Sequence, residues 1–177
     1  MRVISGSRGG LPLKTLDGLD TRPTSDKVKG SIFSILFGKL SGAKVLDLFS
    51  GSGAMGIEAL SRGAESATLV DSSPKAVQII KKNLEFTKLS AKVVTGQADK
   101  FLSSCTEKFD VIFMDPPYFS TEITNCMKII ADCGLLSDDG IIVAESDKTE
   151  QFPPEISGFA LKDERFYGRV AVRFYGR

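Results

Sequence analysis

No histidine occurs among the 177 residues, and that absence excludes the most. Ser-His-Asp and Cys-His nucleophiles need an imidazole base, and most zinc sites need an imidazole ligand. Tryptophan is missing as well. The three cysteines, Cys105, Cys126 and Cys133, are an odd number without CxxC spacing, so they read as reduced thiols and no metal is expected. There is no long apolar run and no legible secretory leader, so no membrane contact is expected and the cytoplasm is the expected compartment. Repeats and low-complexity segments are absent too. What is present, 42% hydrophobic and 25% charged residues, suits one well-buried globular domain with room for a small appendage.

Net charge is small, at +1, but the charges are unevenly placed. Residues 1–40 hold seven Lys/Arg against three Asp, and residues 158–177 hold five against two acids; residues 41–157 hold eleven against seventeen. Two basic ends around an acidic middle point to a polyanionic partner at the ends.

The stretch Lys44–Gly56, KVLDLFSGSGAMG, organises the rest. An apolar run around Asp47 reads as a buried parallel strand, which breaks into Ser50-Gly51-Ser52-Gly53 and then a helical pattern. Strand, glycine turn and helix N-terminus let a ligand approach bare backbone N–H groups, and Gly51-x-Gly53-x-x-Gly56 matches the dinucleotide fingerprint. By itself that spacing says only that a nucleoside-containing ligand binds. Asp47 at the strand's end favours a cationic ligand over a pyrophosphate.

Upstream, Met1–Leu16 reads as a β-hairpin with Arg8 at its tip, and Thr24 or Ser25 starts a helix that runs through Leu40 to Gly42. Downstream, strands are expected at 67–71, 91–95, 109–114 and 141–145, separated by helices from Ser73-Pro74, after Gln97-Ala98-Asp99, and over about 122–133. The tail from Gly158 to Tyr175 reads as an antiparallel hairpin turning at Tyr167-Gly168-Arg169. Alternation of this kind predicts an α/β fold with a doubly wound, mostly parallel sheet, in which ligands bind at the strand C-termini beside the switch in strand order. Were the first and fourth strands neighbours, the glycine turn would face Asp115-Pro116-Pro117-Tyr118.

That second motif has its own chemistry. Pro116 and Pro117 have carbonyls but no N–H, and ionised Asp115 only accepts. Stiff acceptors ending in an aromatic ring suit a planar molecule with an exocyclic amine, stacked on Tyr118 and donating both protons. Held so, the amine's lone pair can be turned toward an electrophile. A nicotinamide-dependent oxidoreductase would also use the glycine spacing and Asp71 but leaves the Asp-Pro-Pro-Tyr motif unexplained. A non-catalytic RNA-binding scaffold is the other alternative.

DLFSGSGAMGIEA (47–59) together with DPPY (115–118) resembles the class I S-adenosylmethionine-dependent amino-methyltransferases, which have a Rossmann-like fold. TRPTSDKVKGSIFSIL (21–36), AES (144–146) and RFYGRVAVRFY (165–175) narrow the likeness to the small bacterial 16S rRNA guanine-N2 methyltransferases, over about the whole chain. The resemblance implies S-adenosylmethionine as cofactor and, as substrate, a guanine of 16S rRNA in assembled or assembling small subunits. It implies that Asp47 and the backbone of Ser50, Gly51, Ser52 and Gly53 hold the methionyl part. Asp71 would take the ribose, with Ser72 beside the adenine, Ala98 next to it, and Asp99 facing the adenine amine. Thr24 would close over the cofactor. Asp115 with Pro116 and Pro117 would grip the guanine amine and Tyr118 would stack on the base, while Arg8, Arg22, Lys27 and Arg169 would meet phosphates. It also implies residues 1–40 as an RNA-binding and lid extension and 41–177 as the methyltransferase domain. The residues alone leave guanine and adenine-N6 chemistry, on RNA or DNA, both open.

Overall fold

The computed structural model describes residues 1–16 and 26–177. Its elements in chain order are α1 (Asp26–Ile35), β1 (Lys44–Leu48), α2 (Ala54–Ser61), β2 (Ser66–Asp71), α3 (Pro74–Thr87), β3 (Lys92–Thr95) and α4 (Ala98–Ser104). β4 (Phe109–Met114), α5 (Glu122–Asp132), β5 (Leu136–Asp147), β6 (Glu155–Ile156), β7 (Phe159–Tyr167) and β8 (Val170–Gly176) follow. The strands form one eight-stranded sheet in the order β3-β2-β1-β4-β5-β8-β7-β6. β1 to β5 are parallel, and β8, β7 and β6 add antiparallel pairs. Strand order reverses between β1 and β4, whose register sets Leu48 opposite Met114, so the segments following both strands leave the sheet side by side.

β1 reads as a continuous apolar run because both of its faces are covered. Val45 belongs to a cluster with α1, α2 and α3, whereas Leu46 and Leu48 belong to a second cluster with α4 and α5. The result is a helix–sheet–helix sandwich. Its helix starts follow local chemistry. Ser73 accepts from the Ala76 N–H and Pro74 takes the first helical position of α3, a cap worth about 1 kcal/mol.

Four elements differ from the sequence reading. α1 stops at Ile35 rather than at Gly42; Gly38 adopts φ +84°, and hydrogen-bonded turns keep Leu36 and Leu40 buried at the spacing that imitates a longer helix. β5 starts at Leu136, five residues early, because the polar stretch Ser137-Asp138-Asp139-Gly140 is a bulge in the strand where its register against β4 shifts. At its other end β5 runs on to Asp147 because β8 pairs there, Asp147 opposite Val170. The short β6 carries too few residues to show a period.

The N-terminal hairpin is reduced to a single bridge, Arg2 to Pro12, flanked by Val3 N–H to Leu11 O at 2.9 Å and Gly10 N–H to Val3 O at 2.8 Å. Pro12 has no N–H to extend the ladder. The loop is not a free tip, because it lies on α2. The Ile4 and Ser5 N–H groups donate to buried Glu58 at 2.6 and 3.0 Å, and the Ser7 and Arg8 N–H groups donate to Ser61 at 2.7 and 3.0 Å. A Cβ on Gly6 would lie 1.9 Å from the Ser61 carbonyl oxygen, so only glycine fits there. Buried Lys29 completes the tie, 3.4 Å from Glu58 and donating to the Arg2 carbonyl.

Candidate functional site

The turn after β1 is pinned from within. Phe49, Gly51 and Gly53 take φ of 60°, 54° and 77°. The Ser50 N–H donates to Val70 O at 3.0 Å, Gly51 N–H to Asp71 Oδ2 at 2.8 Å, Gly53 N–H to Ser50 O at 2.7 Å and Gly56 N–H to Asp47 Oδ2 at 2.9 Å. The Ser50 hydroxyl donates to the Asp47 and Val70 carbonyls. These backbone N–H groups, expected to be bare, are not, because the two strand-end carboxylates already occupy those of Gly51 and Gly56. Both carboxylates keep acceptor lone pairs beyond these bonds.

Those acids differ in setting. Asp47 is buried, and burial pushes its carboxyl up to about 7, with Asp71 adding to the shift and the Gly56 N–H opposing it. Such a carboxyl is poised to ionise beside a cation. Asp71 is half-buried at the end of β2 and also accepts from the Ser73 N–H at 2.8 Å, so it braces the start of α3 while keeping acceptor capacity. Ser72 is exposed next to it. Ala98 is buried at the start of α4, and Asp99 beside it is exposed, its carboxylate accepting from the Lys100 N–H at 2.8 Å. Asn83 ties this side to the N-terminal strap, donating to the Ser52 and Lys14 carbonyls at 2.9 Å.

Across the strand-order switch, Asp115 is half-buried, Pro116 buried and Pro117 exposed. Tyr118 is half-buried, and its hydroxyl donates to buried Glu145 at 3.1 Å. Burial, with the charges of Glu145 and Asp115, raises the phenol well above its usual range, so it stays protonated and its ring is held in place. Asp47, Asp71, Asp115, Glu145 and Asp147 thus gather at the C-terminal ends of β1, β2, β4 and β5. An acid-lined edge favours a cationic ligand.

The basic candidates are more dispersed. Arg8 is half-buried against α2, and its Nε–H has no partner among the described residues. Lys27 is exposed in the first turn of α1. Arg169, in the β7–β8 turn, donates to Asp147 at 3.0 and 3.2 Å, so part of its charge is already paired. Thr24 and Arg22 lie outside the described residues. Sequence reasoning missed Arg62 and Arg165, which with Lys27, Gly30, Ser34 and Tyr167 line a groove of about 560 Å³ between α1 and β7. Nothing in a linear sequence marks that β7 returns beside α1. Among the described residues no acidic, histidine or cysteine group could hold a metal, and no helix is long and apolar enough to cross a membrane.

Residues 1–176 match the family described as conserved hypothetical protein 95. The chain is 41% identical over 180 residues to YlbH of Bacillus subtilis, provisionally named an rRNA methyltransferase, covering 99% of this chain and 98% of that one. It is 35% identical over 178 residues to ribosomal RNA small subunit methyltransferase D of Escherichia coli, covering 100% and 90%. Among solved structures it superposes on an Escherichia coli protein, yhhF, provisionally titled a methyltransferase, with TM-score 0.88 and 35% identity over 100% and 97% of the two chains. A Thermus thermophilus protein of no stated function superposes with TM-score 0.86 and 30% identity over 100% and 99%. With its sequence matched end to end and its Rossmann-like methyltransferase fold, the chain belongs to the conserved hypothetical protein 95 family.

Proposed function

We propose that the protein transfers a methyl group from S-adenosylmethionine to the exocyclic N2 amine of a guanine in 16S rRNA. The observation that carries this reading is the pairing of the β1 turn with Asp115-Pro116-Pro117-Tyr118 at the switch in strand order. The names of the Escherichia coli and Bacillus subtilis relatives support the class of substrate. The acid-lined edge fits a sulfonium and an ammonium: Asp47 would face the methionyl end, Asp71 the ribose, and Ser72, Ala98 and Asp99 the adenine. When bound, the cofactor supplies an electrophilic methyl carbon.

The chain's own residues do the rest. Asp115 and the Pro116 and Pro117 carbonyls accept the two amine protons, and Tyr118, braced by Glu145, stacks on the flipped base. This grip turns the nitrogen lone pair toward the methyl and stabilises positive charge growing on nitrogen. The bound cofactor would give up its methyl carbon, the C–S bond breaking as the N–C bond forms, and Asp115 would take the amine proton and pass it to water. Residues 1–40 serve as the RNA-facing extension and lid, with Thr24, Arg8, Arg22 and Lys27 on it, and 41–177 as the methyltransferase domain, where Arg169 takes a further phosphate. The partner is 16S rRNA in assembled or assembling small subunits, which places the protein in the cytoplasm.

Asp115→Ala tests the assignment. Transfer to 16S rRNA should fall roughly 10²–10³-fold, as when one preorganised electrostatic contact is removed, while cofactor affinity stays within about threefold. A variant with near wild-type transfer contradicts the role.

A further inference from the structure

Among the described residues, four other than glycine have positive φ: Phe49, Lys88, Phe119 and Ser157. Three have a local reason. Lys88 is the left-handed cap of α3, its N–H donating to Glu85 and Leu84. Ser157 and Gly158, with φ 52° and 83°, form the two-residue loop between paired Ile156 and Phe159, where such turns match the strand twist. Phe49 is partly buried, and its ring packs on the cluster of Leu48, Ala98 and Met114, which offsets the strain.

Phe119 sits with Tyr118 in the turn after β4, but its ring, unlike that of Phe49, has little packing to offset the strain. It takes φ 60° while 68% of its surface is exposed. Its neighbour Ser120 has a buried hydroxyl without a partner among the described residues. Strain, an exposed ring and an unpaired hydroxyl therefore fall on two consecutive residues, directly after Tyr118. Phe37, Phe86 and Phe166 are also exposed, but on ordinary backbone. Strained backbone of this kind clusters at active sites and ligand clamps.

We propose that Phe119 is a stacking platform for the nucleobase next to the target, so that Tyr118 and Phe119 together hold two consecutive bases of the RNA strand. An aromatic face takes any base, and a single ring on a stiff turn fits one base better than it fits a protein surface, which requires a contiguous apolar patch. The proposal rests on the rRNA reading above and adds a contact outside the pocket for the reacting guanine.

The test compares wild type, Phe119→Ala, Phe119→Trp and Phe119→Gly with 16S rRNA and small subunits as substrates. Phe119→Ala should raise KM for RNA roughly 5- to 150-fold, the alanine-substitution effect of one base–aromatic stack at tenfold per 1.4 kcal/mol. Cofactor affinity and kcat at saturating RNA should hold, and Phe119→Trp should restore KM to within about threefold of wild type. Because the ring touches solvent and the backbone is strained, Phe119→Gly should unfold no lower than wild type while binding RNA as weakly as the alanine variant. An unchanged KM in Phe119→Ala overturns the proposal, as does an unfolding temperature lowered by several degrees. A defect with subunits that naked rRNA does not share assigns the ring to a ribosomal protein and equally overturns it. Should wild type methylate no RNA, the function above fails on its own, and gel-shift binding of 16S rRNA to wild type and Phe119→Ala still decides the stacking role.

Discussion

Two turns leave adjacent strands of one sheet, each carrying a phenylalanine at φ 60°, yet they are finished differently. Around Phe49 the strain is covered by packing, and four backbone N–H groups find acceptors within the protein. Around Phe119 the ring faces solvent and a hydroxyl is buried without a partner among the described residues. The first turn is a finished cradle, built before any ligand arrives. The second is a half-site whose remaining contacts a large, single-stranded substrate supplies. A small cofactor must be bound rigidly to aim its methyl, whereas an RNA base brings its own surface.

The sharpest break in that contrast is at Asp47, because the finished cradle stores a cost there. The folded value of about 7 lies above the ordinary 3.8, so the folded state binds the proton more tightly. The stability this contributes is full below pH 3.8 and is lost as pH rises through about 7. Asp47→Asn, which keeps an acceptor for Gly56, should therefore gain on wild type by on the order of 4 kcal/mol between pH 4 and pH 8, read by denaturant unfolding. In the wild type, binding of S-adenosylmethionine should tighten about tenfold per pH unit up to 7 and level off above it, since a cation selects the ionised acid. Pairing of that charge predicts that the asparagine variant binds the cofactor more weakly at pH 8. Affinity that is flat with pH would remove Asp47 from contact with the positive charge.

Packing gives the next effect. A Cβ on Gly53 would sit 2.8 Å from Leu69 Cδ2 and 3.2 Å from Ile80, on backbone already at φ 77°. Gly53→Ala should lose about 2 kcal/mol of stability through strain and overpacking, measured by thermal unfolding. Retained stability would mean that the cradle yields more than its hydrogen bonds imply. The smallest effect belongs to the half-site. Tyr118→Phe removes the bond to Glu145 but keeps the ring, so it should lose about 1 kcal/mol of stability and leave transfer within about fivefold. A hundredfold drop would make the phenol itself a participant.

What the sequence made legible follows from how far apart the interacting residues stand. Buried parallel strands such as β1 and β4 print continuous apolar runs, and the glycine turn and the Asp-Pro-Pro-Tyr motif each lie within a few residues, so both motifs and their convergence could be read. The bonds that tie the N-terminal segment to the domain could not. Glu58, on a helix, holds backbone 53 and 54 residues away, and Asn83 reaches Lys14 across 69, though each reads in sequence as an ordinary polar helix position. The bulge at 137–140 carries the residues of a turn, so the strand pattern begins only at Ile141. Nor does any pattern distinguish Phe119 from the other phenylalanines, because a left-handed φ on a bulky side chain is imposed by the fold around it.

The direct measurement of the central claim is transfer of radiolabelled methyl from S-adenosylmethionine into unmodified small subunits, naked 16S rRNA and DNA, followed by nucleoside analysis. The account predicts label in N2-methylguanosine from the rRNA or the subunits and none in DNA. Label in N6-methyladenosine would keep the fold and the amine chemistry but contradict the guanine assignment, and cofactor binding without label in any sample would contradict the enzymatic reading.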